Sequence, residues 1–445
     1  MHMNLRPLIP AATSLALAAC ATAGNLPLPT QPQLAGNLSA LHHDGVNTAT
    51  PLTVSEVAVL ALQNDPDLRA IRAQHGVAQA QLLQSGLLPN PQVTGAILPL
   101  LAGFGTTTAW NAGISEDIRS LITLSSQRRA AREGAAQVDA QIAWQEWQVI
   151  GQTRLLAVDL IEGDRSLAIL KDNRDLFASR YEKSQRAVAA GNETLSVSTP
   201  DFNALQTITT QIHDLQRLQL SRRHQLNASL GLSPEVVVKL NDVPDLPAWS
   251  PEAVERALPT LATRRPDLVA LQLGYRAQDA RLRIAILSQF PNLLFGVTGG
   301  SDNANVRNFG PQISLELPIF NHNQGNIAIE RATQQQLQDE YAARLTYAIE
   351  QVRAMIAEIN LLSQQRETVR RNLAVTQHAA DQADAAFRAG NLDERSYVDL
   401  VSARLTKEQE IVTIEQSLLD QQVAIATLIG AGMSPITIPS EEQPS

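Results

Sequence analysis

The residues of this 445-residue chain that could do chemistry are few, and they fall into three groups. Cys20 is the only cysteine, so its thiol can be acylated or buried but cannot form a disulfide within the chain. His42 and His43 form the only adjacent imidazole pair. They could meet a metal, but they lie in a tract of proline, polar and small residues and read as a pair on a flexible tether. Only Met355 and Met433 follow the N-terminal region, so there is no relay of soft thioether ligands. The third group is Asp201 and Asp399, each a few residues beyond an Ala-Gly-Asn triplet, 190–192 and 389–391. An acid there reads, by itself, as a first-turn helix residue favoured by the helix dipole. No Walker-type loop and no catalytic constellation is present, so the chain is expected to be neither an ATPase nor another enzyme, and to need no cofactor. A net charge of −9 gives no support to nucleic-acid binding.

Arg6 and the short apolar run Leu8 to Ala19 have the form of a signal peptide, residues 1–19. The run ends Leu17-Ala18-Ala19-Cys20, which resembles the bacterial lipobox, so Cys20 is expected to carry lipid and become the first residue. Acyl chains contribute about 0.8 kcal/mol per buried methylene, and several anchor firmly. Ala21, rather than aspartate, follows the cysteine and favours the outer membrane. Residues 20–52 then read as a lipidated tether. No run of eighteen apolar residues exists, so no transmembrane helix is expected. If the chain crosses a bilayer, it does so through a closed β-barrel.

The elements that must position these residues are written twice. Asn64-Asp65-Pro66-Asp67-Leu68 matches Arg264-Arg265-Pro266-Asp267-Leu268 at an offset of 200, and Leu88-Pro89-Asn90 matches Phe290-Pro291-Asn292 at 202. Ile114-Ser115 matches Ile313-Ser314, and the two Ala-Gly-Asn triplets match each other, both at 199. The repeats are placed at 53–232 and 253–432, with an equatorial linker at 233–252 and a tail at 433–445. Asn326 to Ala389 has no proline, and its apolar residues recur in steps of three and four from Leu337 to Leu373. That is one amphipathic helix of about 90 Å. Leu121 to Ala190 reads as a second such rod, with Gly191 and Gly390 ending the two in the C-cap position. Thr199-Pro200 is expected to restart the chain as N-cap and first helical residue.

Shorter helices are expected at Val54–Leu87, Pro200–Leu230, Leu261–Gln289 and Asp393–Ile429. By length, Pro200–Leu230 stacked on Leu261–Gln289, and Asp393–Ile429 on Val54–Leu87, would each equal one rod. Between the helices, period-two alternation predicts strands at Gln92–Phe104, Thr106–Ile118, Leu293–Ser301 and Arg307–Ile319. Trp110, Ala112 and Ile114 alternate with Asn111, Gly113 and Ser115. Four strands are too few for a closed barrel, which needs about eight. They form either a small soluble sheet or one share of a barrel made by several chains.

Duplicated helix–strand–strand–long helix–helix units, the lipobox, the Ala-Gly-Asn turns and the Pro-Asn start of the strands together resemble the outer-membrane efflux protein family, TolC-like. The resemblance spans about Leu52 to Gly432, and the lipidated members serving tripartite RND pumps are most similar. It implies a mainly α fold with a small β part. Three chains would form a twelve-stranded transmembrane β-barrel, continued by a long periplasmic α-helical barrel. It implies a passive exit duct for drugs or metal ions, working with a periplasmic adaptor protein and an inner-membrane RND pump and seated in outer-membrane lipid. Gly191, Asn192, Gly390, Asn391 and Leu392 would meet the adaptor's helical hairpin. Tyr397-Val398-Asp399-Leu400 resembles the segment that carries an aspartate ring at the tunnel's constriction. Asp399 would form the ring, Asp201 would sit beside it, and one or both would pair with Arg404. Ser402 stands where a second aspartate is often found. The first repeat also has Ile118-Arg119-Ser120-Leu121 where the second has Leu317-Pro318-Ile319-Phe320. A periplasmic adaptor lipoprotein with one helical hairpin, or the outer duct of a type I secretion system, are the alternatives.

Overall fold

Thr53 starts the main helical part of the chain in the computed structural model, which describes Gly24, residues 26–247 and residues 250–436. Met1–Leu34 and Ala35–Ser445 are separate units, and residues 26–34 contain no helix or strand. Cys20, the signal segment and the last nine residues lie outside the described residues. Thr53 caps α1 (Val54–Asn64) in a capping box with Glu56. Then follow α2 (Pro66–Gly86), β1 (Gln92–Leu98), β2 (Ala109–Asp117), α3 (Ile118–Ala189) and α4 (Leu195–Ser229). The second repeat holds α5 (Pro251–Ala257), α6 (Leu261–Arg264), α7 (Pro266–Leu287), β3 (Asn292–Ser301), β4 (Arg307–Glu316), α8 (Gln324–Arg388) and α9 (Glu394–Leu428). At 1.5 Å per residue, α3 and α8 are each about 100 Å long. No helix among the described residues is long and apolar enough to cross a membrane.

Several boundaries differ from the sequence reading, each for a local reason. Residues 54–87 are two helices, because Pro66 cannot continue α1 and instead starts α2, with Asp65 accepting from the backbone N–H groups of Asp67 and Leu68 at 2.8 and 3.0 Å. Pro266 divides residues 261–289 in the same way. The chain restarts at Leu195, not Pro200, which lies inside α4. Residues 99–108 are loop, so β1 and β2 are shorter than expected, and β4 stops before Pro318. Where the first repeat lacks a proline, β2 passes straight into α3, and Asp117 caps it by accepting from Arg119 and Ser120 at 2.9 and 3.2 Å. Residues 35–52 are not a loose tether. Leu41, Val46 and Leu52 are buried with Val57 and Leu60 of α1, and with Leu156, Leu226 and Leu230 of α3 and α4. The linker is also tied down: Asp245 accepts from the first backbone N–H of α1 at 2.6 Å.

The shorter helices stack within each repeat, not across repeats as their lengths alone suggested. α4 ends at Gly231, whose missing Cβ would lie 3.2 Å from the Asn64 carbonyl oxygen and 3.9 Å from the Pro66 ring, at the α1–α2 break. α9 ends at Gly430, 3.4 Å by the same measure from the Arg264 carbonyl, at the α6–α7 break. Each duplicated proline motif is therefore the seat for its own repeat's returning helix. α3 packs against both columns, α2 with α4 and α7 with α9, and α8 packs against α7 and α9.

The four strands form one antiparallel sheet in the order β1-β2-β3-β4. Its register puts like beside like. Val93 faces Ile114, Ile114 faces Val297, Ile97 faces Trp110, and Phe295 faces Ile313. One face thus carries Val93, Ile97, Trp110, Ile114, Phe295, Val297, Phe309, Ile313 and Leu315, and all of them are exposed. The opposite face carries Thr94, Asn111, Ser115, Thr298, Gln312 and Ser314. β1 and β4 are both edges, each with one ladder partner among the described residues.

Gly231 and Gly430 have φ of +67° and +63°. Gly231→Val and Gly430→Val each force a β-branched residue into the left-handed region against a neighbouring carbonyl and lose roughly 1–3 kcal/mol. The expected readout is a lower thermal midpoint in detergent. Gly134→Ala, on α3 with nothing within 4 Å, is expected to be neutral or slightly stabilising.

Candidate functional site

At one end of the long helices the chain turns twice, and both turns are Schellman-type. Gly191 N–H donates to Val188 O at 3.0 Å and Asn192 N–H to Ala187 O at 2.9 Å; Gly390 and Asn391 repeat this with Phe387 and Ala386 at 3.0 and 2.8 Å. The glycines stand one residue past the C-caps Ala190 and Ala389, with φ of +76° and +73°. Gly191, Asn192, Gly390 and Asn391 are exposed, and Leu392 is half-buried.

About two helical turns behind these loops lies a charged knot that ties three helices. Asp201 of α4 is 0 % exposed. Arg180 of α3 donates to it through Nε and Nη2 at 2.7 and 2.5 Å, and Ser184, one turn further on, at 2.9 Å. Arg395 of α9 reaches the same carboxylate at 2.8 and 3.1 Å. The remaining Arg180 nitrogen, Nη1, donates to Asp399 of α9 at 2.5 Å. Asp399 itself is 60 % exposed at its side chain. The Arg180 guanidinium also lies 5.2 Å from the Phe177 ring centre. Beneath it, Leu167, Leu170, Phe177, Ile208, Ile212 and Val398 form an apolar cluster. The knot is charge-balanced, with two arginines against two carboxylates. Burial alone would push the Asp201 carboxyl up. The hydrogen bonds from Arg180 and Ser184 and the charges of Arg180 and Arg395 outweigh that, and it lies below the ordinary 3.8.

Asp201 and Asp399 are thus brought together, but Arg404 is not their partner. It donates to Glu408 at 2.8 Å, one turn along its own helix. The sequence reading missed Arg180, Ser184 and Arg395. Arg180 and Ser184 share one helix face at a spacing of four, three residues beyond Phe177. A polar pair breaking an apolar stripe was the available signal. His42 is exposed and faces Asp44 at 3.2 Å, while its backbone is held by Asn64. No cluster of three metal-ligating side chains occurs among the described residues.

Long paired helices joined to one four-stranded sheet, to which each repeat gives two strands, make a fold also seen in solved outer-membrane channels. Solved chains share this fold. A CusC crystal structure superposes with a TM-score of 0.66 at 20 % identity, covering 93 % of this chain and 100 % of that one. The Vibrio cholerae protein VceC gives 0.69 at 15 % identity, covering 85 % and 96 %. In sequence, the cobalt-zinc-cadmium resistance protein CzcC of Cupriavidus metallidurans is 25 % identical, over 80 % of this chain and 84 % of its own. The cation efflux system protein CusC of Escherichia coli K12 is 24 % identical, over 96 % and 99 %. The family profile "outer membrane efflux protein" matches residues 257–431. Over that stretch the chain is similar to outer membrane efflux proteins.

Arg180→Ala leaves the buried Asp201 carboxylate with Arg395 and Ser184 only and is expected to cost about 3–5 kcal/mol, against less than about 1 kcal/mol for Arg404→Ala. Thermal unfolding in detergent measures both. Because the folded-state pKa of Asp201 is depressed, the knot's contribution is complete above about pH 4 and is lost as pH falls through the lower folded value. Wild type is therefore expected to lose more stability than Asp201→Asn between pH 5 and pH 3.

Proposed function

We propose that three copies of this chain form the outer-membrane channel of a tripartite efflux system, a passive duct from periplasm to exterior. One observation carries the proposal: a four-stranded sheet with a largely apolar exposed face and two edges without a ladder partner among the described residues, continuing into helices of about 100 Å. In hydrocarbon every backbone N–H and C=O must be paired within the protein, so an open edge is untenable there. Edge β4 of one copy meeting β1 of the next removes all edges and gives twelve strands, within the range of membrane barrels. The apolar face turns to lipid and the polar face to the bore. The paired helices continue the bore below the membrane.

The charged knot then sits at the far tip, where it closes the duct. Three copies of Asp399, exposed and held from one side by Arg180, form a carboxylate ring that favours cations. Opening releases the Arg180–Asp399 and Arg395–Asp201 links, which join α9 to α3 and α4. The exposed turns at Gly191, Asn192, Gly390, Asn391 and Leu392 receive the adaptor protein. An inner-membrane RND pump supplies the energy, and lipid on Cys20 anchors the N-terminus. Relatives bear the names of cation-efflux and pyoverdine-export proteins, so cargo choice belongs to the pump. The second, homologous repeat and its sheet disfavour a single-hairpin adaptor.

Purified mature protein is expected to run as a trimer in detergent and to conduct in planar bilayers. Asp399→Ala, which frees α9 from Arg180 while sparing the buried Asp201 pair, is expected to raise conductance several-fold. A stable monomer that never conducts ends the proposal. Radiolabelled palmitate is expected to enter wild type and not Cys20→Ser.

A further inference from the structure

About 30 Å along α9 from Asp399, on the same seam with α3, lies a second polar cluster of a different kind. Asp159 and Glu162 of α3 meet Glu415, Gln416 and Asp420 of α9, with Gln219 and Arg222 of α4 on the other flank of α3. The available cations are already committed. Arg222 pairs with Asp159 at 3.0 Å, and Gln416 donates to the same carboxylate. Arg165 pairs with Glu415 at 3.0 Å and lies 3.6 Å from Glu162, while Arg370 of α8 reaches Glu415 at 3.3 Å. Asp420 is left over: its Oδ1 is buried and accepts no hydrogen bond. Gln219 Oε1 nearby is also a buried acceptor without a donor, and Glu162 Oε2 has only the Arg165 guanidinium at 3.6 Å. Leu419 and Val423 on either side of Asp420 pack with Val54, Ala157, Val158 and Ile161. From the linker, Asp245 acts on Arg154 and caps α1, and does not relieve Asp420. A site with surplus acceptors and no spare donor wants a proton, because a neutral carboxyl brings one O–H and removes one charge.

We propose that Asp420 is a proton-operated clasp on the α3–α9 seam: protonated, it holds the two helices together, and ionised, it drives them apart. Its bearing on channel opening rests on the channel reading above; the clasp itself does not. Burial, followed by the charge of Asp159, with Arg222 opposing and Glu162 adding, pushes the Asp420 carboxyl up to about 7. Burial pushes Glu162 up as well, with Arg165 opposing. The sign follows from linkage. The packed seam binds a proton that a solvated Asp420, near 3.8, would release. The seam therefore weakens as pH rises from the ordinary carboxylate value through about 7, and changes no further above it. The Arg180–Asp201 link works in the opposite sense, since its carboxyl is held below the ordinary value.

The test is hydrogen–deuterium exchange of residues 412–424 in the full-length trimer or whatever species purifies, at pH 5.5 and pH 8, with Asp420→Asn as the internal reference at each pH. The ratio of wild-type to Asp420→Asn exchange rates is expected to rise roughly tenfold from pH 5.5 to pH 8, allowing for the partly solvent-facing side chain. Asp420→Glu is expected to keep a pH-dependent difference. A ratio of wild type to Asp420→Asn that is the same at both pH values overturns the clasp, as does loss of the pH response in Asp420→Glu with the response retained in Asp420→Asn. A protein that conducts without this difference keeps the channel reading and loses the clasp. One that shows the difference without conducting does the reverse.

Discussion

A helix of 65 or 72 residues has no stability of its own in water beyond what its flanks supply, and everything else in this chain follows from covering α3 and α8. Each rod has an apolar stripe too long for one ordinary helix to cover. The solution is a broken column, two shorter helices set end to end, used twice. The break must be made where one helix stops and another starts without leaving orphaned backbone groups. Pro66 and Pro266 lack the N–H that a first helical residue would leave unpaired, and Gly231 and Gly430 give the arriving helix its left-handed exit. Within a single chain, α8 still buries only a thin line of side chains, Ala348, Val352, Ile359, Val369, Ala380 and Ala383.

The duplication is accurate in the scaffold and lost at the knot. With the offset of 199 that relates the two turns, Arg180 corresponds to Ala379, Asp201 to Leu400, and Asp399 to Pro200. The first repeat therefore contributes the buried carboxylate, its hydroxyl and one arginine, and the second contributes the other arginine and the exposed carboxylate. A contact built from unlike halves ties the repeats to each other instead of closing each upon itself. The aromatic pairs do the reverse and close each repeat upon itself: Tyr181 meets Phe202 in one, and Phe387 stacks on Tyr397 in the other at 4.6 Å.

Much of this was legible in the residues. Period and length located both rods and all four strands, and the repeated triplets located both turns. Proline was misread in two ways. Thr199-Pro200 looked like a helix start, but Thr194 and Leu195 begin α4 first, and the hydroxyl of Thr199 donates to the Leu195 carbonyl inside the helix. Pro66 and Pro266 looked tolerable within longer helices, though a ring there removes a hydrogen bond and clashes one turn back. The pairing of columns was not legible, because lengths that sum correctly do so for either partner. The partner of Asp201 was hidden for a related reason. Arg404 is near Asp399 in sequence, whereas Arg180 becomes its neighbour only when α3 and α9 lie side by side.

The two passages from sheet to rod are built differently. β2 becomes α3 between Asp117 and Ile118 with no intervening residue, and the cap locks the change of direction. β4 and α8 are separated by residues 317–323, a stretch without helix or strand that contains Pro318 and the left-handed Asn323. A torque about the axis of α3 is handed directly to the sheet, as through a welded joint. The same torque on α8 reaches the sheet only through the seven residues of coupling, so the two rods are not joined to it with equal stiffness.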